Sequence, residues 1–164
     1  MSVKAKILVV TLLCSIVALP LLAEVTVQLT ASKVVKSAGK ETLEAADKMK
    51  PGETVEYKAV YKNTDNKAVR NLKADLPVPA GMQLVPNTAA PAAPLASTDG
   101  VNYAKIPLMR KVKGTDGQMH DEQVPYSEYR SLRWEFGELP AGASKTVSAR
   151  MLLTSAQDLS SQKH

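Results

Sequence analysis

The chain has 164 residues, a formal net charge of +5 and 45% hydrophobic residues, but only 4% aromatic residues and one cysteine. This length fits one modest domain. The first 23 residues contain two of the lysines and the cysteine, so the remaining 141 residues have a net charge of +3, too small to indicate a nucleic-acid-binding protein, and they lack a thiol for disulfide or metal chemistry.

The amino terminus has the layout of a secretory signal peptide. Lys4 and Lys6 precede an apolar run over residues 7–22, which ends at Ala23, just before the first acidic residue, Glu24. A basic start, a short apolar stretch and a small residue at its end are typical of a segment that is removed during export. We therefore predict a helical signal peptide over residues 1–23 and a periplasmic or secreted product.

Two alternatives to a cleaved signal fit less well. A transmembrane anchor needs roughly 20 apolar residues, whereas this run is shorter and is interrupted by Thr11, Ser15 and Pro20. A lipoprotein site at Cys14 would end the apolar stretch, yet the stretch continues to Leu22. We expect no transmembrane segment after signal cleavage.

Apolar and polar side chains alternate with a period of two along most of residues 24–154, which is typical of strands buried on one face. In the first strand this pattern predicts that Val25, Val27 and Leu29 are buried. Residues 41–50 fit either a helical turn or a short returning strand with a loop, and we favour the strand. The strands are predicted in the following regions: 25–35, 41–50, 54–63, 71–76, 82–85, 101–113, 118–129, 132–136 and 146–153.

Turn-forming residues separate these segments. A turn is predicted at residues 37–40, another at Pro51 and Gly52, and a hairpin around residues 114–117, where Asp-Gly favours a tight connection. Residues 86–100 contain three prolines and five alanines without periodicity. They are predicted to form a long loop, and loops of this length in small domains are often functional.

Strands at this spacing predict an all-β fold, an antiparallel β-sandwich of about seven to nine strands over residues 24–154. Tyr57 and Tyr61 lie on one predicted strand face and Trp134 and Phe136 on another, so these aromatic residues are expected between the two sheets. The last residues, 155–164, form a polar tail.

Three blocks of sequence resemble a bacterial conserved-repeat domain, the domain of unknown function number eleven. They are Lys-Pro-Gly-Glu-Thr-Val-Glu-Tyr at 50–57 with Tyr-Lys-Asn-Thr at 61–64, residues 76–85 with their Pro-Ala-Gly and apolar pattern, and Leu-Arg-Trp-Glu-Phe-Gly-Glu-Leu-Pro-Ala-Gly at 132–142. The resemblance covers residues 50–154. It implies an immunoglobulin-like module of exported and surface proteins, and it transfers no catalytic or ligand residues. The family occurs mostly as tandem repeats, whereas this chain holds one copy with an added first strand.

The strongest metal candidate is a group of acids with one imidazole near the predicted hairpin tip: Asp116, His120, Asp121 and Glu122. Calcium loops place acids at alternate positions around a glycine, and this spacing does not match. A solvated hairpin tip explains the same residues with fewer assumptions. Whether these residues bind an ion stays open at this point.

Catalytic motifs are weak. Residues 37–40 and 160–163 both match the Ser-x-x-Lys pattern of penicillin-recognising enzymes, but that pattern requires a helix in a mixed fold. A Ser-His-Asp triad would have to use His120 or His164, and no Gly-x-Ser-x-Gly elbow is present. We therefore predict that the protein is not an enzyme, and we assign no catalytic, cofactor-binding or metal residue and no cofactor.

Two groups of side chains are candidates for recognition. The first is a basic strip that faces anionic groups or keeps an edge strand from aggregating: Lys105, Arg110, Lys111, Lys113 and Arg130. The second is a set of aromatic side chains that either are partly exposed and stack on sugars or anchor a protein interface, or pack in the core or at an edge with satisfied hydroxyls: Tyr103, Tyr126 and Tyr129.

The sequence thus predicts an exported, non-catalytic interaction or structural module of the cell envelope. Its partner would be a protein or another envelope component, recognised through residues 86–100, through the hairpin around Gly114 or through an open strand edge. The alternative is a carbohydrate- or peptidoglycan-binding module that uses exposed tyrosines and basic residues.

Overall fold

The computed structural model of the protein describes residues 25–155. The predicted signal peptide and residues 156–164 of the predicted tail, including the second Ser-x-x-Lys match, lie outside the described residues. The predicted fold class is confirmed, because the described chain is built from antiparallel strands in packed sheets, the architecture that immunoglobulin-like domains share.

Within residues 25–155 the chain forms eleven strands and one short 3-10 helix at Tyr126–Glu128, and nine of these strands form the two sheets of the sandwich, within the predicted range of seven to nine. The strands in chain order are β1 (Val25–Ser37), β2 (Lys40–Ala45), β3 (Thr54–Asn63), β4 (Val69–Pro77), β5 (Met82–Leu84), β6 (Leu95–Ser97), β7 (Ala104–Lys105), β8 (Met109–Lys113), β9 (Met119–Gln123), β10 (Ser131–Leu139) and β11 (Ser144–Leu153).

The strands form two sheets and a separate hairpin. The five-stranded sheet has the order β2-β1-β3-β11-β5, and the four-stranded sheet has the order β4-β10-β6-β7. The hairpin consists of β8 and β9, which pair only with each other among the described strands. Strand β3 is central, since it pairs with β1 on one side and with β11 on the other.

The inner faces of the two sheets share one hydrophobic core. Strands β3 and β11 contribute side chains from one sheet, and β4 and β10 contribute side chains from the opposite sheet: Ala59, Tyr61, Val147, Ala149 and Met151 against Leu72, Ala74, Leu76, Leu132, Trp134 and Leu139. Trp134 is buried there as predicted, and its indole N–H donates a hydrogen bond to the carbonyl of Pro91 at 2.7 Å. Phe136, which was also expected between the sheets, is only partly buried.

Two predicted segments differ from the structure. Residues 86–100 were expected to be strand-free, yet β6 lies within them and pairs with both β7 and β10. The hairpin arms are also shorter than predicted. The reason is that Leu108, Val124 and Tyr129 are buried in the core, so the chain leaves the β8–β9 ladder on either side of it.

Asn63, at the end of β3, connects two turns at one end of the sandwich. Its side chain is fully buried, and its amide nitrogen donates hydrogen bonds to the carbonyls of Lys67 at 2.7 Å, Leu139 at 3.0 Å and Pro140 at 3.1 Å. Its amide oxygen accepts from the backbone N–H of Asp65 at 3.0 Å. The side chain therefore links the β3–β4 turn to the β10–β11 turn.

We expect Asn63→Asp to lower the free energy of unfolding by about 3 kcal/mol, because a carboxylate cannot donate to the carbonyls and would be buried against them. Urea unfolding followed by tryptophan fluorescence measures this change. The matched control is Asn66→Asp in the same turn, where the side chain is exposed and the expected change is within about 0.5 kcal/mol. Equal effects of the two substitutions would contradict the role of the Asn63 amide.

Candidate functional site

The first candidate site is an open strand edge on β1. Residues Val25 to Lys33 of β1 pair with β3, whereas β2 covers the opposite edge only from Ser32 to Ser37. Over residues 25–31 that opposite edge has no partner strand among the strands that the structure describes. We call these seven residues the open edge.

Hydrogen bonds of the neighbouring strand show which backbone groups the open edge presents. The N–H of Asn63 donates to the carbonyl of Ala143, next to β11. Backbone groups of successive residues in a strand point to opposite sides, so the even-numbered residues of β3 point to β1. Since even-numbered residues pair with even-numbered ones in the β1–β3 register, the odd-numbered residues of β1 direct their N–H and C=O groups outward: Val25, Val27, Leu29 and Ala31.

The side chains of the open edge correct the predicted burial of the first strand. Val27 is 53% exposed and Leu29 is 50% exposed, although the residues opposite them on β3, Tyr61 and Ala59, are buried. Directly opposed residues project from the same face of a sheet. The core therefore covers this face at β3 and reaches Val25, which is partly buried, but it leaves the apolar side chains of Val27 and Leu29 without a cover.

The open edge also lacks the charges that lie on the edge strands β2 and β4, whereas the edge strand β5 is likewise uncharged but only three residues long. Exposed edges in soluble proteins usually bear charged side chains or prolines that prevent association with another strand. Strand β2 contains Lys40, Glu41 and Glu44, and β4 contains charged residues and ends at Pro77. Residues 25–31 read Val-Thr-Val-Gln-Leu-Thr-Ala and contain no charged residue.

The second candidate site is a cavity of about 570 Å³ beside residues 86–100. Its wall is mostly apolar, with Tyr126 and Lys105 as the larger polar side chains. The segment that forms it is fixed to β11, because the backbones of Ala90 and Ser148 exchange hydrogen bonds of 2.8 and 2.7 Å. Its volume is within the range of small-molecule pockets.

Asp99 orders the chain between β6 and β7. Its carboxylate accepts hydrogen bonds from the backbone N–H groups of Val101 and Asn102, both at 2.8 Å, from the Asn102 amide and from the Ser97 hydroxyl. The donors, foremost the N–H of Asn102, hold the pKa of Asp99 well below its ordinary value. This carboxylate is thus a structural acceptor within its own turn.

Two of the five residues of the predicted basic strip, Arg110 and Lys111, pair with acids in and beside the hairpin. The Arg110 guanidinium pairs with Glu122 at 2.7 Å and with Glu128 at 2.9 Å, which raises the pKa of Arg110. Lys111 pairs with Asp121 at 2.9 Å. These pairs match basic with acidic side chains in and beside the hairpin, so Arg110 and Lys111 do not present an unpaired cationic surface.

The acids considered for a metal site each contact a different basic side chain and do not converge on one point. Asp116 lies 3.0 Å from the His120 ring nitrogen, and this contact with the imidazole lowers the pKa of Asp116. Asp121 and Glu122 face Lys111 and Arg110 instead. In the part of the chain that the structure describes, no group of three His, Cys, Asp or Glu side chains is arranged to hold a metal ion.

The tyrosines predicted to be partly exposed fall into different environments. Tyr129 is fully buried, which agrees with the alternative of core packing and not with partial exposure, and its hydroxyl accepts a hydrogen bond from the Leu108 N–H at 2.7 Å. The Tyr103 ring is covered by the Arg133 guanidinium at 3.7 Å from its centroid. Tyr126 is partly exposed as predicted and lines the cavity. The three rings therefore do not form one flat binding platform.

The remaining catalytic pattern lies in a tight turn. Ser37 and Lys40 are opposed residues at the ends of β1 and β2, joined by Ala38 and Gly39, both with positive φ, 48° and 77°. Such a two-residue hairpin connection is typical of a type I′ turn. It is not the helix that the Ser-x-x-Lys chemistry requires.

Among the described residues, no helix has the length and apolar character needed to span a membrane. Comparisons of the chain with protein families, with curated proteins and with solved structures found no match.

We expect the Asp99→Asn substitution to destabilise the protein most above about pH 4, with a penalty that shrinks progressively in stronger acid. The folded-state pKa of Asp99 is lowered, so its stabilising effect is complete above the unfolded-state pKa of about 3.9 and is lost as the pH falls towards the folded-state value. Urea unfolding of both proteins between pH 7 and pH 2 measures the difference. A penalty that stays constant or grows in acid would show that Asp99 does not act through its charge.

Proposed function

We propose that the protein is an exported, non-catalytic interaction module of the cell envelope that binds a protein partner by strand addition at the open edge of β1. The observation that carries this proposal is a seven-residue strand segment with outward backbone groups and exposed apolar side chains but no charge. In strand addition, backbone hydrogen bonds supply affinity and alternate side chains supply specificity.

The side chains at the open edge supply a reason for a partner to bind. Burying apolar surface contributes about 25 cal/mol per Å², and Val27 and Leu29 are each about half exposed. An added strand with apolar residues on the same face would cover both side chains. It would also satisfy the outward N–H and C=O groups, which is the feature that distinguishes this edge from a merely apolar surface patch.

Export is proposed from the sequence alone. The basic start, the apolar run over residues 7–22 and the small residue Ala23 support a signal peptide. The resemblance of residues 50–154 to the conserved-repeat domain of unknown function number eleven supports the same interpretation, since that module occurs in exported and surface proteins. Both remain proposals, and a periplasmic or secreted location rests on them.

The geometry gives less support to the carbohydrate-binding alternative. Tyr129 is buried and Tyr103 is stacked against Arg133, so of the three candidate rings Tyr126 alone faces a cavity. The basic side chains Arg110 and Lys111 are paired with acids. Sugar binding through a row of aromatic and basic side chains would need these groups to be free.

The proposal is tested by placing a photo-crosslinking amino acid at Leu29 and irradiating intact cells. We expect covalent adducts with a protein at this position, because a strand added at the open edge would lie within reach of the side chain. The matched control position is Met119 on the hairpin, whose side chain is 58% exposed. Adducts at Met119 but not at Leu29 would move the recognition surface to the hairpin.

A second variant tests the backbone contribution. Val27→Pro removes an outward N–H and leaves the hydrogen bonds of the even-numbered residues with β3 in place. We expect it to reduce the adduct yield at Leu29 by about tenfold, corresponding to the loss of one hydrogen bond and local pairing. Thermal unfolding of the same variant checks that the fold is retained. An unchanged yield in a folded variant would contradict strand addition.

A further inference from the structure

We propose that the strand added at the open edge is the same segment of a second copy of this chain. The two β1 strands would pair antiparallel about a two-fold axis that passes through Gln28, joining the two five-stranded sheets into one. This inference rests on the open edge described under the proposed function and names its occupant.

The sequence of the open edge is complementary to itself when read in the opposite direction. Residues 25–31 are Val-Thr-Val-Gln-Leu-Thr-Ala, so an axis at Gln28 places Val27 opposite Leu29 of the other copy and Thr26 opposite Thr30. Val25 then faces Ala31, and Gln28 faces itself. Apolar residues meet apolar residues and hydroxyls meet hydroxyls, which are the favourable cross-strand pairs, and no like charges are opposed.

The backbone pattern agrees with this register. Val27 and Leu29 both direct their N–H and C=O groups outward, so the pair that they form between copies exchanges two hydrogen bonds. Gln28 directs its backbone groups to β3, so the Gln28 pair is a non-hydrogen-bonded pair with closer side chains. If the register shifted by one residue, odd-numbered residues of one copy would lie opposite even-numbered residues of the other, whose N–H and C=O groups point to β3. None of the hydrogen bonds between the copies could then form.

Strand β2 limits the larger shifts. Since Ala45 of β2 lies opposite Ser32, a second copy cannot pair beyond Ala31 without displacing β2. With the axis at Gln28, all seven residues of each open edge are paired and the pairing ends at Ala31. Moving the axis to Leu29 would place Val25 of the other copy against Lys33, where β2 already lies opposite through Glu44.

The open edge is short, so the interface lies at the small end of the range for specific complexes. We therefore expect a reversible dimer whose population depends on concentration. On the inner face, Val27 and Leu29 of both copies would lie side by side across the junction. These four side chains, each about half exposed in the isolated chain, would form a continuous apolar strip in the dimer.

The register is tested by cysteine crosslinking of the full-length gene product, purified from the producing cells with Cys14 replaced by alanine. Non-hydrogen-bonded pairs have Cα atoms about 4.5 Å apart, which suits a disulfide. We expect Gln28→Cys to form a disulfide-linked dimer under mild oxidation. Thr26→Cys should form no disulfide-linked dimer, since the new cysteine would face Thr30 of the other copy, and the double variant Thr26→Cys, Thr30→Cys should crosslink again. Equal crosslinking of the Gln28→Cys and Thr26→Cys variants would overturn the register.

Sedimentation of the protein without added cysteines provides an independent measurement. Leu29→Lys should weaken self-association by about 30-fold or more, because two leucines lose their burial in each dimer. Leu43→Lys is the matched control, since Leu43 is 52% exposed on β2 and lies outside the open edge. A monomer at all concentrations, or equal effects of the two lysines, would overturn the proposal.

The same experiments separate this inference from the proposed function. If Leu29 forms photo-adducts with another protein while Gln28→Cys yields no dimer, the second copy is overturned as the occupant and strand addition stands. If neither adducts nor dimers form at the open edge, both proposals fail. Adducts at Leu29 with the mass of two copies, together with the Gln28 disulfide, support both.

Discussion

The structure depends on β3, which pairs with a strand on each side. Its five-stranded sheet packs against a sheet of only four strands. Because β1 and β11 both pair with β3, the five-stranded sheet extends past the region that the four-stranded sheet covers. Tyr61 and Ala59 are buried, whereas their neighbours across the ladder, Val27 and Leu29, are half exposed. An apolar face without a cover next to an unpaired strand edge follows from this difference in coverage.

Other parts of the described chain satisfy their polar and charged groups internally. Asn63 connects two turns, Asp99 orders the chain after β6, and Arg133 binds the Asp75 carboxylate through two contacts of 2.7 Å while it stacks on Tyr103. Every buried side-chain nitrogen and oxygen of the described residues has a hydrogen-bond partner. The outer edges of β2 and β4 are also unpaired, but these strands bear charged side chains, so the proposed recognition is assigned to the uncharged segment of β1.

Several features could be predicted because they depend on neighbouring residues. The bounds of β3, the turn at residues 37–40 and the burial of Trp134 follow from alternation and turn chemistry. The burial of Tyr129 and the strand within residues 86–100 could not be predicted in this way. Tyr129 follows a 3-10 helix and β6 is only three residues long, so neither extends a periodic pattern.

The sequence by itself determined the all-β class, the positions of the main strands and an apolar, uncharged face on residues 25–31. It could not determine whether that face is covered, because alternation shows that a strand has an apolar side and not which layer lies against it. The tertiary structure decided this, because the opposite sheet leaves Val27 and Leu29 half exposed, and β2, which pairs only from Ser32 onward, leaves the backbone edge of residues 25–31 without a partner. Coverage depends on contacts between residues far apart in the chain, and local patterns do not encode their relative positions.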